Sequence, residues 1–372
     1  MPSQRLVTVP FVLVTMAVFL GALSPNLFVL ASRYLANAGY DPDEIGIVMS
    51  SFMVGSLSTM PWVGRIIQHG RRATVVVIGC LVGGVGCLLF EQASTLPGFV
   101  AARIVQGCGF ACVLVSGSAY VAEIAPPARL AQALGFAGVL TLVAQAAGPA
   151  FGEFIVEAAG WEWLFWSGTI AGVVGAVVGA FLSPIPDREW PASEDRDRVG
   201  ARAAIAAMAL AGFGFGAVVG FIAAYADDAG VGKVNPFFIA YVIAAVFTRL
   251  GLGHLADRHG RRATAMPALV VQSVAFVLLS MVTESWHLAA IGGMYGLSHG
   301  VYYPSLQAQI VERAPANARS RAVAASTLAF GGGVFTAILG LGFVADAFGY
   351  STIYLIAAGA GGAATIAVWM DR

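Results

Sequence analysis

Between Arg72 and Glu91 the chain reads "ATVVVIGCLVGGVGCLLF", without one charge. At ~1.5 Å per residue, a helix of that length comes close to crossing the ~30 Å hydrocarbon core of a bilayer. The pattern recurs: charges gather in short clusters, and apolar runs of about 20 residues separate them. Composition points the same way, with 58% of the 372 residues hydrophobic and 11% charged. That is too little charge to cover a soluble surface, so lipid is the solvent for most of this chain. No stretch is long and polar enough to form a large soluble domain.

Reading from breaker to breaker gives twelve spans, near 8–33, 43–67, 72–92, 97–122, 131–156, 162–183, 202–226, 235–256, 263–283, 286–311, 321–345 and 350–370. Short connections such as "APPAR" and "APANARSR" join them. The longest, "PIPDREWPASEDRDRVG" at 184–200, is polar and carries both signs of charge. It divides the chain into an N-terminal six-helix bundle (1–183), a solvated cytoplasmic linker (184–200) and a C-terminal six-helix bundle (201–372). The first apolar run, about Thr8–Leu30, is longer than a signal-peptide core and lacks a clear small-residue cleavage site, so it reads as a retained helix.

The arginines set the direction. With the N-terminus inside, Arg5, Arg65, Arg71, Arg72, Arg129, the five arginines of 188–202 and 258, and Arg261, Arg262, Arg313, Arg319, Arg321 and Arg372 share one side. The other side receives only Arg33 and Lys233, while Arg103 and Arg249 fall inside spans. By the positive-inside rule both termini are cytoplasmic, in a cell inner membrane or plasma membrane.

The word "HGRRAT" occurs at His69–Thr74 and again at His259–Thr264. At nearly the same offset "EIAPPAR" (Glu123–Arg129) meets "ERAPANAR" (Glu312–Arg319), and "FIVEAAGW" (Phe154–Trp161) meets "FVADAFGY" (Phe343–Tyr350). The match is therefore a duplication of the whole half. Parallel six-helix repeats are a transporter plan, with the substrate site expected at the repeat interface near the midplane.

"GHLADRHGRR" (Gly253–Arg262) matches G-x-x-x-D-R-x-G-R-R, the signature loop of the major facilitator superfamily, between spans 8 and 9. "RIVQGCG" (Arg103–Gly109) resembles that family's R-x-x-Q-G motif, and "AQAAGPAFG" (Ala144–Gly152) partly resembles its span-5 motif, associated with proton-driven exporters. The chain resembles this family, specifically its twelve-helix drug and sugar exporters, over essentially its whole length. The resemblance implies an all-α fold of two pseudo-symmetric six-helix bundles. It also implies a gate formed by Gly253, Asp257, Arg258, Gly260, Arg261 and Arg262, with Gly70, Arg71 and Arg72 as the first-half counterpart. That first copy departs from the pattern: Ile67 and Gln68 hold the Asp and Arg positions, and Val63 holds the first Gly position. The plainer reading of the four paired arginines is that they pin helix ends at the lipid headgroups.

Inside the spans, polar residues are costly and mark candidates. Arg103, with Gln106 at i+3, is a substrate or proton-coupling cation, or else a snorkelling charge. Gly148 and Pro149 are expected to bend span 5, and Ala144, Gly148 and Gly152 form a small-residue face for close helix contact. Glu153 is the carboxylate best placed to pair with Arg103, or else only a solvated helix end. In span 10, Tyr295, His299, Tyr302 and Tyr303 recur at i, i+4, i+7 and i+8, one face suited to a water-filled cavity or to interhelical hydrogen bonds. Asn26 and Ser24 beside Pro25, and Tyr225 ahead of Asp227 and Asp228, join the candidate lining because the family places spans 1, 4, 7 and 10 around a central cavity.

No cofactor or metal is expected. Cys108 and Cys112 have i,i+4 spacing, but no His or carboxylate lies nearby in sequence, so they read as small buried residues, as do Cys80 and Cys87. The formal net charge of +0 gives no reason to expect a nucleic-acid partner, and no phosphate-binding loop supports ATP-driven transport. The chain lacks G-x-S-x-G and paired metal motifs, so an enzyme is not expected. The sequence thus leads to a single-chain exporter of a small, partly apolar organic molecule by proton-coupled antiport, with lipids around it. The alternatives are a facilitator or proton symporter that imports a small metabolite, and a non-transporting membrane receptor.

Overall fold

A computed structural model describes residues 7–67, 70–126, 129–184, 201–251, 260–314 and 319–370. Its helices coincide with the twelve expected spans: α1 Val9–Asn37, α2 Pro42–Ile66, α3 Arg72–Glu91, α4 Leu96–Ile124, α5 Leu130–Ala159, α6 Trp161–Ala180, α7 Arg202–Asp228, α8 Asn235–Gly251, α9 Arg261–Leu279, α10 Ser285–Glu312, α11 Arg319–Phe348 and α12 Tyr350–Met370. Among the described residues, 10 helices are long and apolar enough to cross a membrane by themselves. The two left out are α8, whose described part is short, and α10, whose polar residues lower its hydropathy.

Outward faces carry the lipid contacts. On α3, Ile78, Leu81, Val85 and Leu89 are exposed at i, i+3, i+7 and i+11, while Val76, Cys80 and Cys87 on the other face are buried. In water such a stripe would aggregate; in hydrocarbon it is matched to its solvent.

The described residues group into two compact units, one within Met1–Val29 and Ser51–Trp190, the other within Leu30–Ser50 and Pro191–Arg372. In the first unit α3 packs on α4 and α6, and α1 packs on α5 and α6; in the second, α9 packs on α10 and α12, and α7 on α11 and α12. These are the same pairings six helices apart. Turns repeat as well. Of the seven glycines with positive φ among the described residues, Gly39 and Gly230, Gly70 and Gly260, and Gly160 and Gly349 are repeat-related pairs.

α1 departs from its expected form. It extends to Asn37, and a 3-10 turn at Leu27–Leu30 breaks it in two. Pro25 has no N–H to give to the preceding turn, and the Asn26 side-chain amide donates to the Ala22 carbonyl at 2.7 Å. Both take the backbone out of its i→i−4 pattern. The piece beyond the break belongs with the second unit. There Arg33 pairs with Asp227 at 3.0 Å and its Nε donates to the Ala223 carbonyl at 3.3 Å.

Candidate functional site

In the first unit a line of polar side chains crosses three helices. Ser24 Oγ of α1 lies 3.2 Å from Cys87 Sγ of α3, and Gln106 Nε2 of α4 donates to the same sulfur at 3.7 Å. Gln106 Oε1 in turn accepts from Arg103 Nη1 at 2.6 Å. The Phe52 ring of α2 lies 4.9 Å from the guanidinium carbon, a cation–π contact. Arg103 is only 5% exposed, so it is held inside the protein instead of snorkelling to the membrane surface. The i,i+3 spacing of Arg103 and Gln106 places both on one face of α4, as read from the sequence.

Glu153, on α5, is also buried. α5 runs as one α-helix through Gly148 and Pro149, and Gly152 is buried. The small residue at 148 serves close approach, because a Cβ there would sit 2.5 Å from the carbonyl carbon of Asn26. That contact holds α5 against α1 immediately before its break.

The second unit holds an aromatic cluster around His299. Its Nδ1 lies 2.6 Å from the Tyr241 hydroxyl of α8. Six rings surround the imidazole, with centroids at 5.8 Å (Tyr241), 6.0 Å (Tyr295), 5.3 Å (Tyr302), 5.7 Å (Tyr303), 5.5 Å (Phe215, α7) and 6.1 Å (Phe330, α11). Tyr295 stacks on Tyr241 at 5.6 Å, and the Arg249 guanidinium lies 5.9 Å from the Tyr303 ring. Tyr295, His299 and Tyr302 are buried; Tyr303 is half-buried. A stripe of Gly292, Gly296 and Gly300 lets α10 approach α8 closely, with the backbones of Phe237, Tyr241 and Ala245 against it.

The α10 face is thus assembled as its spacing predicts. Its partners Tyr241, Phe215 and Phe330 were not singled out by the sequence reading, and Arg249 was noted only as an arginine inside a span. A usable signal existed on α8, where Phe237, Tyr241 and Thr248 recur at helical spacing opposite the glycine stripe. Two expected lining residues have structural partners: the Tyr225 hydroxyl donates to the Leu279 carbonyl at 2.7 Å, and Asn26 serves the helix break.

Of the gate residues, Gly253, Asp257 and Arg258 lie outside the described residues. The arginines that follow the glycine turns are described, and one in each half forms an ion pair. Arg72 Nη1 lies 2.8 Å from Glu123 Oε2, with both side chains buried (4% and 6% exposed). Arg261 Nε lies 3.0 Å from Glu312 Oε1, with side chains 27% and 56% exposed. Arg262 donates to the Trp369 carbonyl at the end of α12, and Arg71 is exposed. No group of three or more metal-ligating side chains occurs among the described residues.

Apolar spanning helices around buried polar side chains define an integral membrane protein of the helical-bundle class. The sequence model of the Major Facilitator Superfamily matches residues 11–246 and again 204–372, and the chain belongs to that family. Among relatives, a protein of Yersinia enterocolitica named as a candidate multidrug resistance protein, MdtD, is 30% identical over 149 residues, which are 40% of this chain and 32% of that one. The MFS-type transporter YfiU of Bacillus subtilis is 27% identical over 192 residues, 50% of this chain and 36% of that protein. The chain thus spans about a third of the length of these relatives. Solved structures share the fold across its whole extent. A mutant of the nucleoside transporter NupG superposes with a TM-score of 0.79 at 14% identity, covering 97% of this chain and 99% of that one. A bacterial homologue of the lysosomal transporter Spinster gives 0.78 at 13% identity, covering 99% and 96%.

Proposed function

We propose that the chain is a secondary active transporter that exports a small, partly apolar organic molecule by alternating access, with protons moving inward in exchange. The observation that carries this reading is the burial of ionisable side chains, Arg103, Glu153 and His299, inside lipid-surrounded helices of a chain of this family. A charged group costs about 2.5–3.5 kcal/mol at a helix centre on insertion scales, and such groups mark solute and proton pathways. Export as the direction is supported by the partial span-5 motif and by relatives named for multidrug resistance.

In this reading Arg103 with Glu153 or His299 carries coupling, and the α10 aromatic face meets the substrate. Asp257 sets the cytoplasmic gate. The chain divides into two six-helix bundles, 1–183 and 201–372, joined by the cytoplasmic linker 184–200, with both termini cytoplasmic in the inner membrane and one chain sufficing. The test is flux in proteoliposomes with an imposed pH gradient. Substrate leaving against the gradient, faster as the gradient steepens, is the expected result. Flux indifferent to the gradient would remove the coupling claim, and accumulation inside overexpressing cells would reverse the direction.

A further inference from the structure

Removing a guanidinium from water is costly, and buried arginines normally face a carboxylate that offsets the loss. Arg103 makes no ion pair among the described residues. Its Nη1 is fixed by a neutral amide, Gln106 Oε1 at 2.6 Å, one face is covered by Phe52, and its buried Nε has no hydrogen-bond partner. Gln106 is itself anchored through Cys87 to Ser24, so the guanidinium is held at one edge while its buried Nε is left without a hydrogen-bond partner. The holding is built into the backbone. At Gly86, facing Gln106, a Cβ would sit 2.7 Å from Gln106 Cγ and 2.7 Å from its backbone nitrogen.

We infer that the Nε edge of Arg103 is the receptor for an oxyanion carried by the transported molecule, a carboxylate, sulfonate or phosphonate on an aromatic body. The guanidinium fork presents parallel N–H donors matched to such a group, and Gln106 acts as a positioning residue that turns the fork. The aromatic body is indicated by the rings alongside, Phe52 over the guanidinium and Phe110 5.4 Å from Phe52. The inference rests on the transport reading above, and it narrows the cargo from a partly apolar molecule to an aromatic acid.

The test is binding to the purified full chain in a neutral detergent, read by ligand-induced shift of the melting temperature. The probes are benzoate, benzenesulfonate and phenylphosphonate, with benzamide as the neutral isostere. At least one oxyanion should bind and benzamide should not, a contrast that needs no variant. Arg103→Gln should weaken that binding by roughly thirtyfold or more, the fold-change for losing one partner of a buried charge pair. Arg103→Lys, which keeps the charge but loses the fork, should fall between. Gln106→Leu should weaken oxyanions without creating affinity for benzamide. Equal binding of benzoate and benzamide, or no binding of any of the three oxyanions, would overturn the inference. So would Arg103-dependent stabilisation by phosphatidylglycerol with none by the soluble probes, which would assign the edge to a lipid headgroup. Because binding is read without a pH gradient, it can fail while gradient-driven flux of another solute succeeds, and the reverse.

Discussion

The two corners that open with "HGRRAT" share their letters but not their physics. In each, an arginine after a glycine turn meets the glutamate that ends the next helix but one residue apart in the repeat: Arg72 meets Glu123, and Arg261 meets Glu312. By sequence, Arg72 corresponds to Arg262, so the second half uses the other arginine of its pair. Helix start explains the exchange. In the first half Arg71 is the N-cap and α3 begins at Arg72; in the second Gly260 is itself the N-cap and α9 begins at Arg261. The glutamate therefore takes the arginine at the first helical position in both halves. The spare arginine of the second half caps the end of α12 at Trp369, while that of the first half is exposed. Burial differs too, and a buried pair depends on both partners where an exposed one hardly does.

The largest test of this comparison is Glu123→Ala, which strands the buried Arg72 charge. It should cost about 3–5 kcal/mol, seen as a large drop in melting temperature, and the double change Arg72→Met with Glu123→Leu should recover much of it. A cost for Glu123→Ala no larger than that of Glu312→Ala would mean that burial does not separate the corners. Next comes Gly260→Ala. With φ 87 and ψ 149 this residue occupies a region nearly closed to side chains, so the change should cost about 1–3 kcal/mol and move the start of α9. Arg261 accessibility to a guanidine-modifying reagent would report that movement; unchanged modification would show that the helix start does not depend on the glycine. The smallest effect is Glu312→Ala, about 0–1 kcal/mol and fading as salt is raised. A salt-independent loss there would place this pair in the same class as Arg72–Glu123.

The spans were legible because an apolar run bounded by charge has few other uses, and the halves were legible because the repeat carries whole words. The α10 face was legible from spacing alone, since Tyr295, His299 and Tyr302 lie together on one helix. What surrounds that face was not: Tyr241 had a signal only in its spacing with Phe237 and Thr248 on α8, and Phe215 and Phe330 come from helices in which one more aromatic residue carries none. The ion pairs were half legible: Glu123 and Glu312 align in the repeat, but the arginine each takes depends on whether the turn glycine also caps the helix. Tyr225 shows the opposite limit. The family's placing of span 7 made it a lining candidate, and its hydroxyl donates to the Leu279 carbonyl, a partner on α9 that no sequence spacing marks.

The broken first helix is held on both sides of its break. Its earlier piece is gripped at Asn26 by Gly148 of α5, and its later piece at Arg33 by the end of α7. Between these two holds lies the 3-10 turn Leu27–Leu30. Phe28 within it rests on Phe90 and Phe165, with ring centroids 5.1 and 5.3 Å away. Phe28 therefore seats the turn among rings, at the place where the first helix leaves its α pattern.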